Sequence, residues 1–191
     1  MRARSIGSAG LIGLALARGI QAQTRACGVE RWPVKIAADA HARRVDTVPS
    51  VMSISALRAL PLPPRPLPYN TRIAPYELKT FRVRAVLRQL ITEHDGDWHL
   101  VLEDPDAPGR TIIGEIPDSA CALGSVHAAG FAAVRRNLRA APKRAVIEVE
   151  GIGFFDYLHG QRGVAPNGFE LHPILRARIV GGAPGEREAP P

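Results

Sequence analysis

The 191-residue sequence is poor in cysteine and in the short motifs that mark common catalytic sites. Its two cysteines form no CxxC pair, which argues against a zinc–thiolate site. No HExxH pair is present to hold a catalytic zinc ion, and no GxSxG turn is present to carry a nucleophilic serine. Asp95 and Asp97 lie in a turn, but the spacing of an EF-hand is absent. The sequence therefore assigns no catalytic residue.

Long apolar runs are also absent. The N-terminus reads MRARS and then IGSAGLIGLALA, a basic start followed by an apolar stretch too short to predict a transmembrane helix. This pattern predicts a secretory signal peptide over residues 1–22, with cleavage after Ala17 or Ala22. The alternative is an amphipathic or disordered extension. We therefore expect a secreted or otherwise extracytoplasmic protein whose mature chain has no membrane span.

The two cysteines are Cys27, just after that segment, and Cys121. In an exported chain two cysteines most simply form one disulfide, whereas in the cytosol they would be two buried thiols. A bridge would close a loop of about 94 residues, which the chain-entropy model values at roughly 4–5 kcal/mol. Export and a disulfide are thus linked predictions.

Positive charge is present but spread out. The formal net charge is +7 and the pI is about 10.2, values often found in nucleic-acid-binding proteins. Residues 1–26 hold four arginines and no acidic residue, so the rest of the chain carries only +3. Phosphate binding needs a clustered basic face rather than a modest total. A nucleic-acid partner is possible but not favoured.

Residues 23–76 are predicted to be an N-terminal extension with a proline-rich connector. Arg31–Ile36 suggests a short edge strand, because Pro33 cannot donate to a ladder. Ser53–Leu60 has the apolar spacing of a short helix. Residues 61–75 contain six prolines, which predicts a stiff extended connector.

Residues 77–179 carry the pattern of a folded core. Phe81, Val83, Ala85 and Leu87 alternate with polar residues and predict a long half-buried first strand. The further predicted elements are strands 98–103 and 111–116, a helix over 124–141, strands 145–155 and 167–179, and a disordered tail over 180–191. Three strands, one helix and two strands are the element order of an OB-like five-stranded barrel, so we expect a mainly-β fold of that class.

That topology makes a prediction about the arginines of the first strand. The first and fourth strands of such a barrel are neighbours, so Arg82 and Arg84 are expected to pair with Glu148 and Glu150. This pairing would neutralise the strip that a nucleic acid needs. The aromatic residues available to stack bases form one small cluster, namely Phe154, Phe155 and Tyr157.

The stretch 151–173 is the densest in functional side chains. The predicted ligand-binding residues are Asp156, His159, Gln161, Asn167, Glu170 and His172. One interpretation is a turn-rich loop whose backbone groups are satisfied by His159, Gln161 and Asn167. The other is a metal site formed by His159, Glu170 and His172, with Asp156 as general base. The sequence names neither a metal nor a cofactor.

Four segments resemble an uncharacterised family of small exported bacterial proteins, whose most specific motif is GFFDxLHGQxGVAPNGxELHP. The segments are CGVERWPVK at 27–35, HLVLED at 99–104, EIPDSAC at 115–121 and GIGFFDYLHGQRGVAPNGFELHP at 151–173. The resemblance implies an exported domain that carries both cysteines, and it implies no activity. The chain departs from the usual pattern at Ile36–Ala38, where polar and glycine residues are common.

Taken together, these patterns predict a secreted non-catalytic binding or structural module of unknown ligand. The alternative is a metal-dependent hydrolase, with a nuclease as one form, that uses the 156–172 loop.

Overall fold

The computed structural model describes residues 27–28 and 30–182, so the predicted signal peptide and residues 183–191 of the predicted tail lie outside the described residues. The elements are α1 Trp32–Lys35, β1 Asp46–Val51, α2 Ile54–Arg58, β2 Lys79–Thr92, β3 Trp98–Glu103, β4 Thr111–Ile116, α3 Ala128–Arg139, β5 Val146–Phe155 and β6 Phe169–Gly181. None of the helices in this part of the chain is long and apolar enough to cross a membrane.

Strands β2 to β6 form a closed barrel. The sheet order is β1-β2-β3-β4-β6-β5, and β2 also pairs with β5, which closes the ring. The barrel strands thus follow the order first, second, third, fifth, fourth, with β4 and β6 parallel and the other barrel pairs antiparallel. Helix α3 connects the third and fourth strands. This topology confirms the predicted mainly-β, OB-like barrel.

The barrel interior is the core of the protein. Alternate residues of each strand point inward, because successive side chains leave a strand on opposite faces. Helix α3 closes one part of the barrel with Phe131, Val134 and Leu138, which are all buried. Helix α3 begins at Ala128 rather than at 124, and Val126, predicted to share its apolar stripe, is exposed.

The predicted pairing across the first and fourth strands is present. Arg82 lies opposite Glu150 and Arg84 lies opposite Glu148 in the antiparallel register. Arg82 binds Glu150 at 2.6 Å, whereas Glu148 is bound by Arg178 of β6 at 2.9 Å. The ion pair expected for Arg82 is therefore formed, whereas Arg84 lies opposite Glu148 in the register only, because Glu148 binds Arg178 instead.

The prediction of an edge strand over Arg31–Ile36 was wrong, because the structure has helix α1 there. Pro33 lies in the first turn of the helix, where a missing N–H removes no intrahelical bond. Arg31 precedes the helix in a left-handed conformation with φ of 52°. Its buried side chain anchors it there through the contacts described below. A long-range contact thus overrides the local pattern.

Strand β1 is an addition that the sequence analysis did not predict. It pairs in parallel with β2 at the edge of the barrel, and most of its residues are exposed. Helix α2 agrees with the prediction, and Ser53 caps it by accepting a hydrogen bond from the Ala56 N–H. The connector 61–75 contains no helix or strand, as its prolines predict.

The predicted disulfide is present between Cys27 and Cys121, whose Cα atoms are 5.5 Å apart. It joins the start of the described chain to the segment that follows β4. Together with α1, this bond places residues 27–35 beside the barrel.

Candidate functional site

A cleft of about 910 Å³ opens on one side of the barrel. The β2–β3 turn at 93–97 forms one wall, the β5–β6 loop at 156–162 forms another, and the segment 27–35 contributes the third. Strands β3 and β4 supply His99 and Glu115 to the floor. The cleft therefore lies where two barrel loops and the N-terminal segment converge.

The lining of this cleft is strongly acidic. Its basic residues, apart from three histidines, are Lys35 and Arg162. The Lys35 ammonium group is already bound to Asp156, at 2.9 Å from a carboxylate oxygen. The acidic lining residues are Glu30, Glu93, Asp95, Asp97, Glu115 and Asp156. Carboxylates thus outnumber lysine and arginine in a partly enclosed space.

At the floor of the cleft and just below it is a group of neighbouring polar side chains, which we call the carboxylate cluster. Its members are Asp97, Glu115, Asp156, Glu170 and His172. Strands β4 and β6 run parallel and pair at Gly114 and Leu171, so Glu115 and His172 follow side by side. One Glu115 oxygen is 3.1 Å from Nδ1 of His172. A Glu170 oxygen is 3.4 Å from the same nitrogen.

Burial sets the charge state of the cluster. It raises the pKa of Glu170 well above its ordinary value, helped by the carboxylates of Asp156 and Glu115. Burial also raises the pKa of Asp97 to about 7 and lowers that of His172 to about 4. Burial alone would raise the pKa of Glu115 as well, but the nearby imidazoles and Lys35 outweigh it and lower that pKa to about 2. Near pH 7 Glu115 is therefore ionised and His172 is neutral, and burial favours the neutral form of Glu170.

His99 connects the cleft floor to the β5–β6 loop. Its Nε2 is 2.9 Å from the carbonyl oxygen of Arg162, and its Nδ1 is 3.1 Å from Glu115. Burial opposes its protonation, but these two acceptors prevail and raise the pKa of His99. A carbonyl oxygen and an ionised carboxylate both need a donor, so the geometry suits a doubly protonated ring.

His172 has an unsatisfied polar atom. The residue is fully buried, and its Nε2 has no hydrogen-bond partner among the described residues. Nearly all buried side-chain nitrogen and oxygen atoms in proteins are hydrogen-bonded, so such an atom in the middle of a polar cluster requires an explanation.

The loop residues predicted from the sequence separate into two roles. Gln161 holds the turn, since its side chain accepts from the His159 N–H and donates to the Tyr157 carbonyl. Asn167 donates to the carbonyls of Leu57 and Leu60 at the end of α2. It also accepts from the N–H of Phe169 at the start of β6. Asn167 therefore joins the loop to α2.

The proposed metal set of His159, Glu170 and His172 is not brought together as one close group. The His159 side chain is 57% exposed and lies with Glu30 and Asp156, within 4.8 Å between their ligand atoms. His172 instead shares such a group with Asp97 and Glu115. Asp156, Glu170 and His172 do belong to one electrostatic cluster, because the charges of Asp156 and Glu115 both act on Glu170.

Sequence analysis did not select Lys35, Asp97, His99 and Glu115 as binding residues, and they lie on three separate parts of the chain. Their spacing in sequence gives no signal, because only barrel closure and the docking of α1 bring them together. Lys35, His99 and Glu115 do each lie in one of the segments that carry the family resemblance.

A second buried polar group, which we call the arginine cluster, holds the N-terminal segment against the barrel. Its members are Arg31, Asp39, Arg72 and Glu77. The guanidinium of Arg31 binds both oxygens of Glu77 at 2.7 and 2.8 Å and donates to three backbone carbonyls. Arg72 binds Asp39 at 2.7 Å. Because Arg31 immediately precedes α1, this cluster also positions Lys35 over the cleft.

The aromatic residues near the cleft do not form a stacking surface. Phe154 and Phe155 are buried, and the Arg31 guanidinium lies 4.6 Å from the Phe154 ring centroid. Tyr157 is half-buried and packs against the core. These rings therefore belong to the interior of the protein.

Neither a protein-family model nor a curated protein matches this chain. A solved structure assigned as an aspartyl-tRNA synthetase from Leishmania major Friedlin is 12% identical, with a TM-score of 0.45 over 73% of this chain and 22% of that one. The asparaginyl-tRNA synthetase of Entamoeba histolytica is 9% identical, with a TM-score of 0.42 over 73% of this chain and 25% of that one. The chain thus spans about a quarter or less of these proteins, and similarity this low says nothing about function.

Proposed function

We propose that this protein is an extracytoplasmic, non-catalytic binding module whose cleft takes a positively charged ligand. The observation that carries this proposal is the acidic lining, in which six carboxyl groups outnumber the one lysine, one arginine and three histidines. A cleft lined by one sign of charge, with low-dielectric walls, focuses the field and attracts ligands of opposite charge.

The position of the cleft supports a binding role. In OB-fold barrels, ligands bind on the face of the second and third strands, between the loop after the first strand and the loop after the fourth. In this protein those strands are β3 and β4, and those loops are 93–97 and 156–162. The cleft therefore occupies the usual ligand position of the fold.

The chemistry of the cleft favours a cation over a nucleic acid. Carboxylates repel phosphate groups, and single-strand binding also depends on exposed aromatic rings on which bases stack. Phe154 and Phe155 are buried and offer no such surface. The disulfide between Cys27 and Cys121 supports an extracytoplasmic location, since such bonds persist in oxidising compartments.

Backbone amide NMR spectra of the disulfide-bonded protein test the proposal, with spermidine as the cationic probe and a single-stranded oligonucleotide as the contrast. Spermidine should shift resonances at 93–97 and 156–162, and the oligonucleotide should not.

The double substitution Glu93→Gln and Asp95→Asn should weaken spermidine binding. Asp106→Asn is the matched control, because Asp106 lies in an exposed turn outside the cleft lining. Oligonucleotide binding in the cleft, or a spermidine affinity that the double substitution leaves unchanged, would overturn the proposal.

A metal-dependent hydrolase is the second candidate, and the carboxylate cluster beside the cleft is what favours it. An imidazole next to two carboxylates is a familiar ligand combination for catalytic zinc and iron. This candidate expects hydrolysis of bis(p-nitrophenyl) phosphate in the presence of Zn²⁺ or Mn²⁺, with loss of turnover in Asp97→Asn. Ligand binding without turnover favours the module.

A further inference from the structure

We infer that Asp97, Glu115 and His172 form a binding site for a divalent transition-metal ion at the floor of the cleft. The inference rests on the proposed function, because the cleft gives the ion its path from solvent. The three side chains come from the β2–β3 turn, β4 and β6, and one ligand atom from each lies within 4.8 Å of the others.

The three side chains are held in place before any ion binds. Asp97 accepts a hydrogen bond from the Asp118 N–H at 2.8 Å, which fixes one carboxylate oxygen. Glu115 is held from the other side by His99 at 3.1 Å. His172 is fully buried, with its ring packed edge-on against Phe154. A site of this kind needs little rearrangement to bind, because its ligands are already oriented by second contacts.

The imidazole of His172 supplies an independent indication of a ligand. If its proton is on Nδ1, the lone pair of Nε2 is buried and has no partner among the described residues. If its proton is on Nε2, the Nδ1 lone pair faces the Glu115 carboxylate at 3.1 Å, and a buried N–H is unsatisfied. The Glu170 carboxyl is 3.4 Å from Nδ1, too far for a good O–H donor. When the proton is on Nδ1, Glu115 accepts it at 3.1 Å, and a metal ion at Nε2 supplies the partner that this lone pair lacks.

The surrounding charges leave room for a cation. Lys35 is the one ammonium group within the cluster, and it binds Asp156, on the side formed by the β5–β6 loop. Among the described lysines, none bonds directly to Asp97 or Glu115, and both carboxylates line the cleft. His99 donates to one oxygen of Glu115, and the other oxygen faces His172. One nitrogen and two carboxylate oxygens suit Zn²⁺ or Mn²⁺ better than Mg²⁺ or Ca²⁺, which prefer oxygen ligands alone.

Zinc titration of the disulfide-bonded protein by calorimetry tests this site, with Mg²⁺ as the comparison ion. We expect Zn²⁺ to bind at one equivalent per chain and Mg²⁺ to bind far more weakly. Asp97→Asn should lower the zinc affinity by about 100-fold or more, because loss of a ligand costs at least as much as loss of its supporting contacts. This substitution keeps an oxygen that accepts from the Asp118 N–H, so the fold is retained.

The double substitution Glu93→Gln and Asp95→Asn is the matched control, since it removes two carboxylates of the same turn outside the three-residue site. It should lower zinc affinity far less than Asp97→Asn does, because the amide oxygen introduced at position 95 can still accept from the Asp97 N–H. It should nonetheless weaken spermidine binding. This contrast separates the two proposals. If the protein binds spermidine but does not bind zinc, the proposed function is supported and only the metal inference is contradicted.

Imidazole NMR resonances provide a readout at the ring itself. Zinc should shift the ring nitrogens of His172, which is fully buried, before those of His94 and His159, which are exposed at the cleft rim. Zinc that shifts only His94 and His159, or binds Asp97→Asn as tightly as the unchanged protein, would overturn the inference.

Discussion

The arginine cluster and the carboxylate cluster are both largely buried and both polar, but they differ in how many of their polar atoms have hydrogen-bond partners. All five N–H groups of the Arg31 guanidinium have acceptors, and the two oxygens of Glu77 also accept from the backbone N–H groups of Phe155 and Ile73. In the carboxylate cluster, the carboxyl groups of Glu170, Asp156 and Glu115 all act on the single ammonium group of Lys35. His172 keeps a polar atom without a partner among the described residues.

This difference indicates different roles. A buried ion pair whose groups are all satisfied holds segments of the chain in register, and its members are tied to one another and to the backbone. A buried group of like charges that raises the pKa of its own members is costly to maintain, and perturbed pKa values concentrate at functional sites. The contacts therefore indicate a structural role for the arginine cluster, and the difference is consistent with the ligand-binding role proposed above for the carboxylate cluster.

The largest expected effect is on the arginine cluster. Arg31→Ala leaves the Glu77 carboxylate buried without its cation and frees three carbonyls, so it should lower the free energy of unfolding by about 3–5 kcal/mol. Urea denaturation at pH 7 measures this change. Arg43→Ala, at an exposed arginine of the same N-terminal segment, should change stability by less than about 0.5 kcal/mol. A loss of under about 1 kcal/mol for Arg31→Ala would show that the arginine cluster does not hold the fold.

A smaller effect is expected where the loop meets α2. Asn167→Ala removes the donors to Leu57 and Leu60 and the acceptor for Phe169, all at a buried position. It should destabilise the protein by about 1–2 kcal/mol, with no ligand needed for the effect. Thermal melts with and without chelator measure it. His159→Ala is the control in the same loop, because the His159 side chain is exposed. If it lowers the free energy of unfolding as much as Asn167→Ala does, Asn167 has no special role in joining the loop to α2.

The smallest effect is expected within the carboxylate cluster. Burial raises the pKa of Glu170 well above its ordinary value and so favours the neutral carboxyl, which the amide of Glu170→Gln resembles. The free energy of unfolding should change by less than about 1 kcal/mol. Glu77→Gln, the same substitution in the arginine cluster, should cost more because Arg31 then loses its counter-charge. If urea denaturation shows that the two substitutions lower the free energy of unfolding equally, the two clusters do not differ in the way argued above.

Much of the barrel can be predicted from local patterns. The strands at 98–103 and 111–116 agree with the structure at both ends, because alternating apolar residues are bounded by turn residues on each side. The helix at 128–139 is shorter than predicted, since Val126 does not join the buried stripe. The pairing of Arg82 with Glu150 follows from topology once the element order is known.

The candidate site, unlike the barrel strands, could not be predicted from local sequence patterns. The stretch 151–173 contains Asp156, Glu170 and His172, but it lacks their partners, which come from α1, the β2–β3 turn, β3 and β4. His159 and Asn167 lie in that same stretch, yet one points to solvent and the other to α2. Nearness in sequence thus groups residues that the fold separates.

The sequence alone accounts for the order of strands and helix and for the existence of one cysteine pair, because hydrophobic periodicity and residue counts are local or additive properties. Three-dimensional packing accounts for the helical form of Trp32–Lys35 and for the assembly of Asp97, Glu115 and His172. These depend on contacts between residues that are tens of positions apart, such as the bond from Arg31 to Glu77. Such contacts exist only after the barrel closes and the N-terminal segment docks on it.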